Sequence, residues 1–185
     1  SLVGSEYHRQ ALEVLGSLEP FHFPVRFPEV FRRDRAGFDV IVGNPPWDKV
    51  LHEPQQFWVT REPGLNRLSA SKREEAIERL REERPADASL EKKAKARSQR
   101  LQDYFRASFE HQGRGHYDYA KLFTERTLSL VGASGRIGVV LPRQSMVLGG
   151  WKQLRRLLFV NSKLLVTQAR NKGGWLFEDV HHSYM

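Results

Sequence analysis

Apolar residues recur at helical spacing over 6–18, at Tyr7, Ala11, Val14, Leu15 and Leu18, which predicts a short amphipathic helix that stops at Pro20. The next stretch, FHFPVRFPEVF over 21–31, interleaves aromatic residues with Pro24 and Pro28. Proline donates no ladder hydrogen bond, so this pattern predicts an extended or edge segment and not a central strand. Phe38-Asp39-Val40-Ile41-Val42-Gly43 is short, β-branched and almost wholly apolar, the pattern of a strand buried on both faces in a parallel sheet covered by helices. Asn44-Pro45-Pro46-Trp47 ends it, because two successive prolines cannot continue a ladder.

The pattern then changes. Over 61–112, 23 of 52 residues are charged, and Pro85 separates two helical patterns. The first opens on Ser71-Lys72-Arg73-Glu74, a capping box, and carries Ala76, Ile77 and Leu80 on one face. The second runs from about Ser89 to Gln112 with Leu101, Tyr104, Phe105 and Phe109 as its stripe, and stops at Gly113. This block reads as a helical insertion projecting from the sheet. A further helix from Asp118 ends at Gly132 and turns into a strand over 136–141, stopped by Pro142. A helix over roughly 145–159, a strand around 163–168, a Gly173-Gly174 turn and WLFEDVHHSYM follow. Strand and helix alternate outside the insertion, so the fold class is α/β.

Length and composition sharpen this. A chain of 185 residues with 39% hydrophobic and 28% charged side chains fits one soluble globular domain. It has no cysteine, which removes disulfides, Cys-ligated zinc and every thiolate nucleophile, and with them cytosine C5 methylation and the Cys-ligated zinc base deaminases. The longest apolar runs, 40–42 and 137–141, fall far short of the roughly 18 residues a membrane helix needs, so no membrane partner is expected. The formal charge of +8 is uneven: −2 over 1–60, +3 over 61–112 and +7 over 113–185. A basic final third suits either attraction to phosphate, through counterion release, or a solubilising surface.

The chemistry concentrates at Asn44-Pro45-Pro46-Trp47, placed just past the carboxyl end of a strand, where open α/β sheets hold ligands. The turn offers an amide oxygen on Asn44, a carbonyl at Pro45 stiffened by Pro46, and an indole face on Trp47. Those parts suit a planar amine. The exocyclic amine of adenine is a poor nucleophile because its lone pair is delocalised; two acceptors that take its two hydrogens favour a localised lone pair able to attack a sulfonium methyl. Trp47 is placed to stack on a base swung out of its duplex. The alternative for the turn is a plain strand terminator. Gly132, Gly135 and Gly138 give G-x-x-G-x-x-G, not the dinucleotide fingerprint, and are read as a helix cap and a turn. His116, His181 and His182 are read as surface or supporting histidines and no metal site is expected.

FDVIVGNPPW resembles the catalytic motif of the amino-methyltransferase family, which methylates exocyclic or amide nitrogens using S-adenosylmethionine. With FHFPVRFPEVF before it, and DYAKLFTERTLSLVGASGRIGVVLP and WLFEDVHHSYM after it, the chain is similar to the large adenine-N6 DNA methyltransferases of restriction-modification and phage defence. The resemblance implies that Asn44 and Pro45 bind the target amine, that Pro46 stiffens the turn and that Trp47, where family members more often carry Tyr or Phe, stacks on the base. It also implies that Phe177 packs against the flipped base and that Phe123 touches the adenine of the cofactor.

By the same resemblance, 1–51 and 113–185 form the catalytic half of a partial Rossmann-like, S-adenosylmethionine-dependent methyltransferase sheet, and 52–112 form the charged helical insertion. The partner is DNA and the setting cytoplasmic. The family's glycine-rich cofactor loop has no counterpart before Asn44, where only Gly4, Gly16, Gly37 and Gly43 occur without a G-x-G. The expectation is therefore a fragment, inactive alone, whose parent protein supplies an N-terminal cofactor-binding part and a C-terminal target-recognition domain. Two readings stay open beside this one: the same chemistry on RNA adenine or a protein amide, and a non-catalytic basic module that grips nucleic acid.

Overall fold

The computed structural model describes residues 4–15, 21–113, 115–169, 171, 174 and 178. The chain divides into two compact units, one of Ser1–Ile41 with Leu130–Ile137, the other of Val42–Ser129 with Gly138–Met185.

In the first unit, α1 (Glu6–Leu15) is followed by two single-turn helices, α2 (Phe23–Arg26) and α3 (Pro28–Phe31). The extended segment expected over 21–31 is thus helical. Pro24 and Pro28 sit in the first turn of their helices, where the missing N–H has no partner to lose. The two turns fold the aromatic residues back on one another. Phe38 meets Phe23, Phe27 and Phe31 edge-on at 6.0, 5.6 and 5.3 Å between ring centroids. That cluster is what the aromatic and proline alternation encodes.

Phe38 opens β1 (Phe38–Gly43), which pairs in parallel with β2 (Val131–Val139). β2 follows α7 (Tyr119–Leu130) without a turn. Its glycines correct the cap-and-turn reading: Gly132 and Gly135 lie in the strand and let two backbones approach. A Cβ at Gly135 would sit 2.7 Å from the Phe38 carbonyl oxygen, and a Cβ at Gly37, where φ is +109°, would sit 2.5 Å from the Gly132 nitrogen. Arg33 braces the entry to β1 through a bidentate pair with Asp39, at 2.9 and 3.0 Å, and a bond to the Gly37 carbonyl. The Arg33 guanidinium holds the Asp39 carboxyl below its ordinary value.

β1 was expected to be buried on both faces, yet Val40 is 60% and Val42 80% exposed. With two strands among the described residues, the apolar run gains one neighbour and no covering helix on those side chains. The expected third strand around 163–168 does not form: the segment has no regular secondary structure, is exposed, and has no ladder partner among the described residues.

In the second unit, α4 (Pro54–Val59), a 3-10 turn (Pro63–Arg67), α5 (Ala70–Glu83) and α6 (Pro85–Ser108) pack on one another. Their core is Trp58, Leu65, Ala76, Ile77 and Leu80, including the three α5 positions that the helical spacing singles out. The Ser71–Glu74 capping box does not form. α5 starts earlier, with Ser69 as N-cap, and Ser71 Oγ donates to Glu75 Oε1 at 3.3 Å. α6 begins at Pro85 rather than Ser89. Its inner face is Glu91, Ala94, Ser98, Leu101 and Phe105, so Tyr104 falls outside it and is 61% exposed. The chain continues through α7, then α8 (Gln144–Val147) and α9 (Lys152–Asn161) beyond β2. Among the described residues no helix is long and apolar enough to cross a membrane.

Candidate amine-binding turn

The turn starts where β1 ends. Gly43 closes the ladder by accepting the Val140 N–H at 3.1 Å, and the chain then leaves the sheet through Asn44, Pro45, Pro46 and Trp47. Asn44 and Pro46 are exposed, Pro45 is buried and Trp47 is half-buried. No hydrogen bond engages the Asn44 amide among the described residues, so its oxygen remains an unspent acceptor.

Trp47 is anchored rather than free. It packs against a buried cluster of Ala120 on α7, Trp151 just before α9 and Leu154 on α9, joined by Leu141 and Leu157. Its Nε1 edge is buried without a hydrogen-bond partner among the described residues. Such an orphaned donor costs on the order of 1–3 kcal/mol, offset here by the packing of a large ring.

The residues after the turn are pinned to the start of α7. Lys49 and Asp118 form an antiparallel bridge, Val50 N–H donates to the Tyr117 carbonyl at 2.8 Å, and Tyr119 N–H donates to the Asp48 carbonyl at 3.0 Å. Asp118 also caps α7, its Oδ1 accepting the Lys121 N–H at 3.0 Å. Lys121 is buried, and its Nζ donates to the carbonyls of Gln112 and His116 at 3.1 and 3.0 Å. Burial pushes the Asp118 carboxyl up and the Lys121 amine down from their ordinary values.

One turn along α7, Glu125 gathers the same loop. Its Oε1 accepts from the backbone N–H groups of Glu110 and His111 at 3.1 and 3.2 Å and lies 3.1 Å from His111 Nδ1, while Oε2 accepts from Gln112 Nε2 at 2.5 Å. Sequence reasoning passed over Lys121, Glu125 and Gln112. Lys121 and Glu125 are signalled in the sequence only as opposite charges one turn apart on α7, and Gln112 carries no such signal.

The remaining candidates are not gathered here. Phe123 is on α7 but 49% exposed, so it is not part of the helix's packed stripe. Phe177, His181 and His182 lie outside the described residues. His116 is exposed and takes part through its backbone carbonyl. Among the described residues no group of three metal-ligating side chains occurs. An open groove of about 410 Å³ lies in the helical block, between the 3-10 turn and α5, lined by Glu62, Leu65, Ala76, Arg79 and Leu80; it includes no residue of the turn.

The turn therefore presents one free amide oxygen at a strand end, beside an indole fixed by its edge. That arrangement can accept hydrogen bonds from a planar amine and supplies neither a nucleophile nor a general base. No family model, curated protein or solved structure matches the chain.

Proposed function

We propose that the chain is the catalytic half of an S-adenosylmethionine-dependent methyltransferase acting on the N6 amine of adenine in DNA, with 1–51 and 113–185 forming the catalytic part and 52–112 the insertion. The observation that carries this is Asn44-Pro45-Pro46-Trp47 at the carboxyl end of β1, with an exposed, unengaged Asn44 amide and an anchored Trp47. Asn44 Oδ1 and the Pro45 carbonyl take the two hydrogens of the amine and localise its lone pair. Trp47 stacks on the extruded base.

The described residues do not by themselves fit the methyl donor. Phe123 is their one candidate contact, and a single exposed ring does not hold a nucleoside-sized cofactor. The residues in hand act on the acceptor side of the reaction.

The test is Asn44→Ala in the full-length protein, read as N6-methyladenine in duplex DNA by mass spectrometry. Asn44 is exposed and unbonded, so the substitution should leave stability within about 0.5 kcal/mol. Methyl transfer should fall on the order of 100-fold or more, as when one preorganised hydrogen bond to a reacting group is lost. Undiminished transfer would remove the amine site from the proposal.

A further inference from the structure

The 24-residue helix α6 carries six cations, at Lys92, Lys93, Lys95, Arg97, Arg100 and Arg106, and three acids, at Asp87, Glu91 and Asp103. Each acid already has a cation. Asp87 pairs with Arg61 at 3.6 Å, Glu91 with Arg81 at 2.6 Å and Asp103 with Arg106 at 3.2 Å. Two of those three partners come from α5 or the segment before it, so α6 keeps its own cations largely uncompensated. Lys92, Lys93, Lys95, Arg97 and Arg100 are all exposed and make no ion pair among the described residues.

Their spacing puts them on one side. The inner face of α6 runs through Glu91, Ala94, Ser98, Leu101 and Phe105. At about 100° per residue, Lys93, Arg97, Arg100 and Tyr104 fall within roughly 60° of one another on an exposed flank, about 110° around the helix from it. Tyr104, 61% exposed, thus extends a row of three cations with an aromatic ring. At about 1.5 Å of rise per residue the cations of this row span roughly 10 Å, and the row with Tyr104 about 16 Å. That length faces several successive phosphates of a duplex, which carries a charge every 1.7 Å or so of its axis.

We infer that this exposed cationic flank of α6 docks on the phosphate backbone of duplex DNA, with Lys93, Arg97 and Arg100 as its phosphate contacts. Charge complementarity selects a polyanion. The face lacks the broad apolar stripe by which a helix settles into a lipid surface, since only Leu90, Ala96 and Tyr104 stand exposed among the cations. The choice of DNA among polyanions rests on the proposed adenine-methylating reading; the docking face itself rests on charge and exposure. Contacts of this kind fix register and raise affinity without reading sequence.

The experiment compares the full-length protein with a Lys93→Gln, Arg97→Gln, Arg100→Gln variant, titrating duplex DNA of arbitrary sequence at several salt concentrations, with duplex RNA and phosphatidylserine vesicles as parallel arms. The variant should bind DNA at least tenfold more weakly near 0.1 M salt, and the slope of log K against log salt should shallow by about 2 to 3, one step per lost phosphate contact. Asn44→Ala should leave both quantities unchanged, so failure of the methylation reading is separable from failure of this one. An unchanged DNA affinity and slope in the triple variant overturns the inference. So does a loss confined to RNA or to vesicles. Circular dichroism of the variant guards against misfolding, and a charge-preserving Lys93→Arg variant should bind as the parent does.

Discussion

Arg81 on α5 and Glu91 on α6 meet side by side, Nε to Oε2 at 2.8 Å and Nη2 to Oε1 at 2.6 Å, with Glu91 only 7% exposed. This bidentate pair ties the two long helices of the charged block together. Two further polar groups stand close: His52 Nε2 lies 3.9 Å from Oε1, and both His52 Nε2 and Trp58 Nε1 are buried without a hydrogen-bond partner of normal geometry. Arg81→Met leaves the carboxylate buried without its guanidinium partner, and destabilisation of about 3 kcal/mol is expected. A double Arg81→Met, Glu91→Leu variant should recover most of that loss, because removing both charges spares the cost of burying one. Urea unfolding midpoints check it, and an unperturbed single variant would mean that the pair does not tie the helices.

The same pair sets a pH dependence. The Arg81 hydrogen bonds hold the Glu91 carboxyl below its ordinary value of about 4.5. A carboxyl whose folded value is depressed contributes stability that is complete above the unfolded value and is lost as pH falls through the folded one. Stability should therefore drop as the solution is taken below about pH 4.5, while Glu91→Gln flattens that part of the curve. Asp118 acts with the opposite sign: burial raises its carboxyl, the ionised form is the costly one, and acidification relieves it. The difference between parent and Glu91→Gln, measured by urea unfolding at each pH, isolates the Glu91 contribution. A difference that stays constant from pH 6 to pH 3 would contradict the assignment.

Glu125 gathers the loop over 110–112, taking two backbone N–H groups and two side-chain contacts. Glu125→Ala leaves those donors without their acceptor, a loss of about 1–3 kcal/mol of local stability. Hydrogen exchange at the amides of Glu110 and His111 should then speed up on the order of tenfold to a hundredfold. Amides deep in the α5 and α6 core, such as that of Leu80, should be unaffected. Uniform acceleration across both regions would show a global unfolding effect and not a loop clamp.

The readable parts of this fold are those in which a residue's neighbours lie within a turn or a strand of it. Ala76, Ile77 and Leu80 announce a buried face through spacing alone, and Asn44-Pro45-Pro46 announces a strand end because proline cannot extend a ladder. Segment 21–31 misleads because its prolines are equally at home at an edge strand and in a first helical turn; convergence on Phe38 decides between them. Gly132 and Gly135 mislead for a related reason. Three-residue spacing suggests turns, whereas their requirement comes from the β1 backbone across the sheet. At the candidate turn, the motif is legible but its anchorage is not, since Trp47 rests on Ala120, Trp151 and Leu154 from distant parts of the chain.

That anchorage makes Trp47 a test of how the turn is held. Its ring contributes packing to the Ala120, Trp151 and Leu154 cluster, while its Nε1 edge is a buried donor with no partner among the described residues. Trp47→Ala removes the packing and opens a cavity, so a loss of about 2–3 kcal/mol is expected for a half-buried ring. Trp47→Phe keeps most of the apolar contact and eliminates the orphaned donor, and the two effects should nearly cancel, leaving stability within about 1 kcal/mol of the parent. Methyl transfer by the full-length protein separates support from stacking. Trp47→Phe, folded and aromatic, should retain most activity, whereas Trp47→Leu, folded but without a π face, should lose it. Equal activity in the Phe and Leu variants would assign Trp47 to the core alone and leave the amine, if it binds, to Asn44 and the Pro45 carbonyl.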